Sequence, residues 1–219
     1  MKDFKLYAIT GEQFHPGRPL AEVMEEAIRG GCDIIQLRDK KSAKRDVLAK
    51  ARTLRELTRR YGVTFIVNDH IDVALAVDAD GIHLGQDDLP LAEARKIAPG
   101  KIIGISTHAI EEARQAERDG ADYIGVGPVF PTKSKEDVVA PVTTEYVRQV
   151  AAEIRIPFVA IGGIKLHNVD QVLEAGATRI CAISEIVGSA DVKRTCESFI
   201  AKIDAAAAAR AGSRPAPST

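Results

Sequence analysis

With 219 residues, 45% of them hydrophobic, and 30 basic against 31 acidic side chains, the chain has apolar material for one sizeable core and no basic bulk to attract nucleic acid. No apolar stretch approaches the ~20 residues of a membrane span, and the start, Met1-Lys2-Asp3-Phe4-Lys5, lacks the apolar segment of a signal peptide, so a soluble, cytoplasmic protein with no membrane partner is expected. Cys32, Cys181 and Cys196 are an odd number at wide spacing, which suggests neither a disulfide framework nor a zinc site and makes them packing residues.

Short β-branched or apolar runs punctuate the chain at Lys5 to Thr10, Asp33 to Leu37, Thr64 to Val67, Gly81 to Leu84, Ile102 to Ile105, Tyr123 to Val126, Phe158 to Ile161 and Arg179 to Ile183. Helix-like segments lie between them, among them Leu20 to Arg29, Val47 to Arg60, Ile110 to Arg118, Val142 to Ile154 and Val169 to Glu174. Gly30-Gly31, Gly120-Ala121-Asp122 and Gly176-Ala177 stand just before the next strand, where a helix needs an αL-tolerant stop. Eight such βα units predict a single-domain (β/α)8 TIM barrel. The competing architecture, a doubly wound open sheet, lacks its GxGxxG after the first strand. From Ala205 the sequence turns Ala-rich and then Gly/Ser/Pro-rich, so the barrel is expected over 1–204 and a frayed helix end with a disordered tail over 205–219.

In a barrel the C-terminal strand ends form one face, and the polar residues of this chain collect there. The second run ends in Gln36-Leu37-Arg38-Asp39-Lys40. Alternate strand residues share a face, so Gln36, Arg38 and Lys40 would offer an amide and two cations to one ligand, a device for gripping phosphate oxygens. The competing reading of such a cluster is a solvated charge run. Asn68-Asp69 follow the third run and Gly85-Gln86-Asp87-Asp88 the fourth. Neighbouring strands are ~4.8 Å apart, so Asp69 and one carboxylate of the next loop would face one pocket, and oxygen ligands beside a phosphate grip favour Mg²⁺; taken singly, Asp69 and Asp87 also suit helix caps. The fifth run leads to Ser106-Thr107-His108, which suits capping or binding. The long connection Pro128 to Pro141, which also carries Lys133, is expected to be a lid whose donors Thr132, Ser134 and Lys135 lack partners in the empty chain. Gly162-Gly163 and Ser184 fall where barrels often bind phosphate between their last two strands. His70, His83 and His108 are expected to cap or pack, since no Ser-His-Asp or Cys-His set accompanies them. Two phosphate sites facing one pocket without a base suit departure of a diphosphate and attack by a neutral nucleophile on a second, monophosphorylated substrate.

The motifs QLRDK, ND before a helix, DGIHLGQDD, GADYIGVGPVFPTKSK, AIGGI and AIS, in this order from about Leu6 to Ile200, resemble the thiamine-phosphate synthase family. That family joins 4-amino-2-methyl-5-hydroxymethylpyrimidine diphosphate to a thiazole phosphate through a pyrimidine carbocation. The resemblance implies that Gln36, Leu37, Arg38, Asp39, Lys40, Asn68, Ser106 and Lys135 hold the pyrimidine diphosphate, with Arg38, Lys40 and Lys135 assisting its departure. It gives Mg²⁺ to Asp69 and Asp88, and the thiazole phosphate to Thr132, Lys133, Ser134, Gly163, Ile183 and Ser184. Ser134 stands where Thr is more usual, Glu185 where Ala is usual and so beside the monophosphate site, and Ala140 to Thr143 lack a usual Gly. The related thiazole tautomerase shares RxK and ND, but lacks the GQDD segment and has a His where this chain has Pro128. A non-catalytic ligand-binding barrel is the other alternative, and a homo-oligomer is left open.

Overall fold

The computed structural model describes residues 1–134 and 139–212. Eight parallel strands close into a barrel in chain order: β1 (Leu6–Ile9), β2 (Ile34–Leu37), β3 (Thr64–Asn68), β4 (Gly81–Leu84), β5 (Ile102–Thr107), β6 (Tyr123–Val126), β7 (Phe158–Ala160) and β8 (Ile180–Ala182). Pairing of Leu6 with Ile180 completes the ring. Around it run α1 (Leu20–Arg29), α2 (Lys44–Tyr61), α3 (Ile71–Ala76), α4 (Leu91–Ile97), α5 (Ile110–Arg118), α6 (Thr143–Glu153), α7 (Val169–Glu174), α8 (Ser184–Val187) and α9 (Val192–Gly212). The strands read as continuous apolar runs because one face meets these helices and the other fills the barrel. No helix among the described residues is long and apolar enough to cross a membrane.

The lower, N-terminal rim is closed by acidic residues that immediately precede even-numbered strands. Asp33 accepts from the amides of Lys5 and Leu6, Asp80 from that of Phe65, and Asp122 from that of Ile103. Each therefore satisfies a strand-start amide of its neighbour. Arg55 and Arg95 neutralise Asp80 and Asp122 at 2.8 Å. Phe4 lies edge-on to Tyr7 and Tyr123, and the Arg179 guanidinium sits 5.3 Å over the Phe4 ring. The bottom of the barrel is thus a plug, and the opening is at the other end.

Two expectations are corrected. The Ala-rich stretch after residue 204 is not a frayed end: α9 continues to Gly212, Ala206 packs on the core, and Arg210 donates to the Leu173 carbonyl at 3.0 Å. Alanine loses no side-chain entropy in a helix, so composition that resembles a tail propagates the helix instead. Residues 213–219 of the expected tail lie outside the described residues. At the upper rim β5 runs on through Thr107, which places Ser106 on the strand, facing the barrel interior.

Candidate active site

A cavity of about 880 Å³ opens at the C-terminal ends of the strands. From β2 and the loop that follows it, Gln36, Arg38 and Lys40 line it, whereas Leu37 and Asp39 do not. The strand alternation persists past β2 because Thr10 clamps the backbone there. Its hydroxyl accepts from the Arg38 amide at 2.9 Å and donates to the Arg38 carbonyl at 3.1 Å. Leu37 packs in the core at 1% exposure. Asp39 turns to Lys50 of α2 at 2.7 Å and accepts from the amides of Lys41 and Ser42. The side chains of Leu37 and Asp39 are therefore placed to support the loop, away from the cavity.

Burial pushes the Asp39 carboxyl up, but the hydrogen bonds from Lys50, Ser42 and Lys41 outweigh it and hold the group well below the usual carboxylate range. A carboxylate with a depressed folded pKa contributes stability above its unfolded pKa, near 3.9, and loses it as pH falls through the folded value. Asp39→Asn is therefore expected to lower Tm at pH 7. The gap to wild type should start to narrow below about pH 4. Melting curves from pH 7 to pH 2 check this; a gap that widens with acid would contradict it.

Asn68 and Asp69 are consecutive, yet both line the cavity. Asp69 has φ +61°, a left-handed conformation that breaks the strand alternation. Asp tolerates that region better than most residues. Beyond β4, Asp88 also lines the cavity and accepts from the Gly85 amide at 2.6 Å. Burial pushes the Asp69 carboxyl up, as does the charge of Asp88 beside it; Lys40, 3.5 Å from Asp69, acts in the opposite direction. Two carboxylates held together in a half-buried place form an all-oxygen donor pair whose repulsion a hard divalent cation would relieve. The pair fits Mg²⁺ as two ligands. Among the described residues no group of three or more His, Cys, Asp and Glu forms a metal cage, so further ligands would come from substrate oxygens and water.

On the other side stand Thr132, Lys133, Ser134, Gly163, Ile183 and Ser184. Gly162 and Gly163 have φ +99° and +64°, and a Cβ on Gly162 would fall 2.3 Å from the Pro128 Cα. Only glycine admits both the turn and this close approach. Val129 and Phe130 donate their amides to Ile161 and Gly162, which fastens the start of the long connection to the rim. Contrary to expectation, the Ser134 hydroxyl has a partner: its Oγ donates to Ser184 Oγ at 3.1 Å, while Thr132 Oγ1 accepts from the Ser134 amide at 3.1 Å. Glu185 does not line the cavity; its carboxylate accepts from the Leu166 amide at 3.2 Å, so it turns away from Ser184 and ties α8 to the loop after β7. Lys135 lies outside the described residues.

His83, expected to cap or pack, lines the cavity and bonds to Ser106. His108 links the ends of β5 and β6 by an Nδ1 contact of 2.7 Å with the Gly127 carbonyl. Tyr7, Tyr123 and Thr10 were given strand positions by the sequence but no part in the site. The available signal was a polar residue at an inward position of a strand buried on both faces, since such a group needs a partner.

A sequence profile described as thiamine monophosphate synthase matches residues 6–186. The thiamine-phosphate synthase of Halalkalibacterium halodurans is 76% identical over 200 residues, covering 91% of this chain and 95% of that protein. That of Shouchella clausii is 66% identical over 207 residues, covering 94% and 99%. Among solved structures, thiamine phosphate pyrophosphorylase from Pyrococcus furiosus superposes with a TM-score of 0.85 at 41% identity, covering 93% of this chain and 96% of that one. The match spans the barrel and every strand end that builds the cavity; the chain belongs to the thiamine-phosphate synthase family.

Proposed function

We propose that this chain condenses 4-amino-2-methyl-5-hydroxymethylpyrimidine diphosphate with a thiazole phosphate, giving thiamine phosphate and diphosphate. The observation that carries the reading is one cavity with two unlike sides, each suited to an anion. Arg38, Lys40, Asp69 and Asp88 stand on one side, and Gly163, Ser184, Thr132 and Ser134 on the other. Arg38 and Lys40 stabilise charge growing on the diphosphate as the carbon–oxygen bond breaks and its electron pair leaves with oxygen. Asp69 and Asp88 would hold Mg²⁺, which when bound supplies further charge neutralisation. Gln36, Asn68 and Ser106 orient the pyrimidine. The glycine turn and hydroxyls of the far side hold the thiazole phosphate so that the thiazole nitrogen faces the carbon, and its lone pair forms the new bond. No proton is taken from that nitrogen, consistent with a cavity in which no carboxylate–histidine dyad is needed as a base.

Incubating the protein with both precursors and Mg²⁺ and following thiamine phosphate by mass spectrometry tests this. Product should require both precursors. Isomerisation of a thiazole carboxylate phosphate with no condensation would instead identify a tautomerase.

A further inference from the structure

Five polar side chains form one hydrogen-bonded chain across the barrel interior, at the floor of the cavity. Gln36 Nε2 donates to Tyr7 Oη at 2.7 Å, and Tyr7 Oη lies 2.9 Å from Tyr123 Oη. His83 Nδ1 lies 2.8 Å from Tyr123 Oη, and His83 Nε2 lies 2.8 Å from Ser106 Oγ. Both phenols are inaccessible to solvent, at 1% and 0% exposure, so water does not compete for these bonds. Gly104 makes the central contact possible. The strand register sets it between His83 and Tyr123, and a Cβ there would fall 2.1 Å from Tyr123 Cζ. The space left by the absent side chain is the space through which the phenol reaches the imidazole.

Donor counting gives the chain a direction. An amide nitrogen only donates, so Tyr7 Oη accepts from Gln36 and its own proton goes to Tyr123 Oη. The Tyr123 proton then goes to His83 Nδ1, which accepts only if the imidazole carries its proton on Nε2. That proton goes to Ser106 Oγ, and the serine's own proton remains for a ligand. Burial pushes both phenols well above the usual tyrosine range, so neither interrupts the chain by ionising. At the two ends, both in the cavity wall, Gln36 is left with the acceptor Oε1 and its second N–H, and Ser106 with a donor hydroxyl.

We propose that Tyr123, acting with Tyr7 and His83, is a positioning residue that fixes the donor and acceptor polarity of the cavity floor, and that this polarity selects a 4-aminopyrimidine over its 4-oxo counterpart. An exocyclic amine matches Gln36 Oε1, and an unprotonated ring nitrogen matches the Ser106 hydroxyl. The oxo ring offers a carbonyl oxygen in place of the amine and a protonated nitrogen, so it sets acceptor against acceptor at Gln36 Oε1 and leaves the Ser106 hydroxyl proton without its acceptor. A site built to hydrogen-bond its ligand rejects a mismatched analogue strongly because buried groups are left unpaired. The identity of the ring rests on the synthase reading above; the direction of the chain does not.

Two measurements on the full chain test the proposal. In ¹⁵N-histidine NMR of wild type, with the His83 resonances assigned from a variant lacking it, Nε2 should be protonated and Nδ1 an unprotonated acceptor. Tyr123→Phe should mix the tautomers. Calorimetry with Mg²⁺ should show wild type binding the 4-aminopyrimidine diphosphate at least ~10³-fold more tightly than the 4-oxo analogue. Tyr123→Phe should narrow that ratio by about tenfold or more, with thiazole phosphate affinity unchanged; a merely structural role would weaken both pyrimidines alike. Should Tyr123→Phe fail to fold, Tyr7→Phe breaks the chain one link away, frees the Gln36 amide to flip, and should narrow the ratio in the same direction. Protonation of Nδ1 in wild type, or full discrimination in the phenylalanine variants, would overturn the proposal. Selective binding of the amino ring by a protein that forms no thiamine phosphate would remove the synthase reading and leave the polarity intact.

Discussion

Replacing Arg38 with alanine is expected to slow condensation by about 10²- to 10³-fold, the loss that follows removal of one preorganised donor from a site of developing charge. Arg38 lines the cavity from a backbone position clamped on both its amide and its carbonyl by Thr10. The backbone that carries its guanidinium is therefore held in place before substrate arrives, which is what distinguishes it from an arginine on a loose surface loop. Arg38→Lys should recover only part of the loss, because the ammonium is a point charge without the planar fork that meets two phosphate oxygens together. Steady-state kinetics of the two variants decide the matter. An alanine variant with near-normal turnover would reduce the cluster to surface charge.

The second large effect is expected at the carboxylate pair. Asp88→Asn should abolish most of the mutual tightening between Mg²⁺ and diphosphate, because it removes half of the anionic pair that would hold the cation. By linkage, each ligand should tighten the other by the same factor in wild type, and calorimetric titrations in both orders measure it. Thiazole phosphate binding, which we propose lies on the opposite side of the cavity at Gly163 and Ser184, should hardly change. The same substitution should raise, or at least not lower, the Tm of the metal-free protein. Asp69 is held up by burial and by the charge of Asp88, so removing that charge relieves repulsion, while the side-chain oxygen of the introduced amide still accepts from the Gly85 amide. Loss of function with no loss of stability is the pattern of a site that trades stability for binding. A destabilised Asp88→Asn variant with unchanged Mg²⁺ coupling would mean that Asp88 serves only as a loop cap.

The strands were readable because each is a short apolar run followed by polar residues at the upper rim, and β4 and β6 match the expected bounds residue for residue. Long amphipathic helices such as α1 and α5 were equally plain. Short α7 was bounded as well, while α3, α4 and α8 received no bounds, since helices of one or two turns leave little periodicity and depend on the barrel for their stability. In the site, the spacing of Gln36, Arg38 and Lys40 disclosed a shared face because strand alternation is local geometry. It also implied that Leu37 and Asp39 face elsewhere, a consequence that family resemblance obscured by treating the run as one block. Asp69 is the opposite case: a left-handed residue lets neighbours in sequence share a cavity, and no period in the sequence announces it. The floor network was hidden for another reason. Gln36, Tyr7, Tyr123, His83 and Ser106 come from five different strands, and only barrel closure and the missing side chain of Gly104 bring them together.

The most direct test of the mechanism is parallel quantitation of thiamine phosphate and free diphosphate from the two precursors, in Mg²⁺ and in EDTA. The expected result is one diphosphate for each thiamine phosphate in Mg²⁺, with both falling together by orders of magnitude in EDTA. Equal turnover in the two conditions would contradict a metal-assisted departure from the Arg38, Lys40, Asp69 and Asp88 side of the cavity, and absence of thiamine phosphate in both would contradict the synthase reading itself.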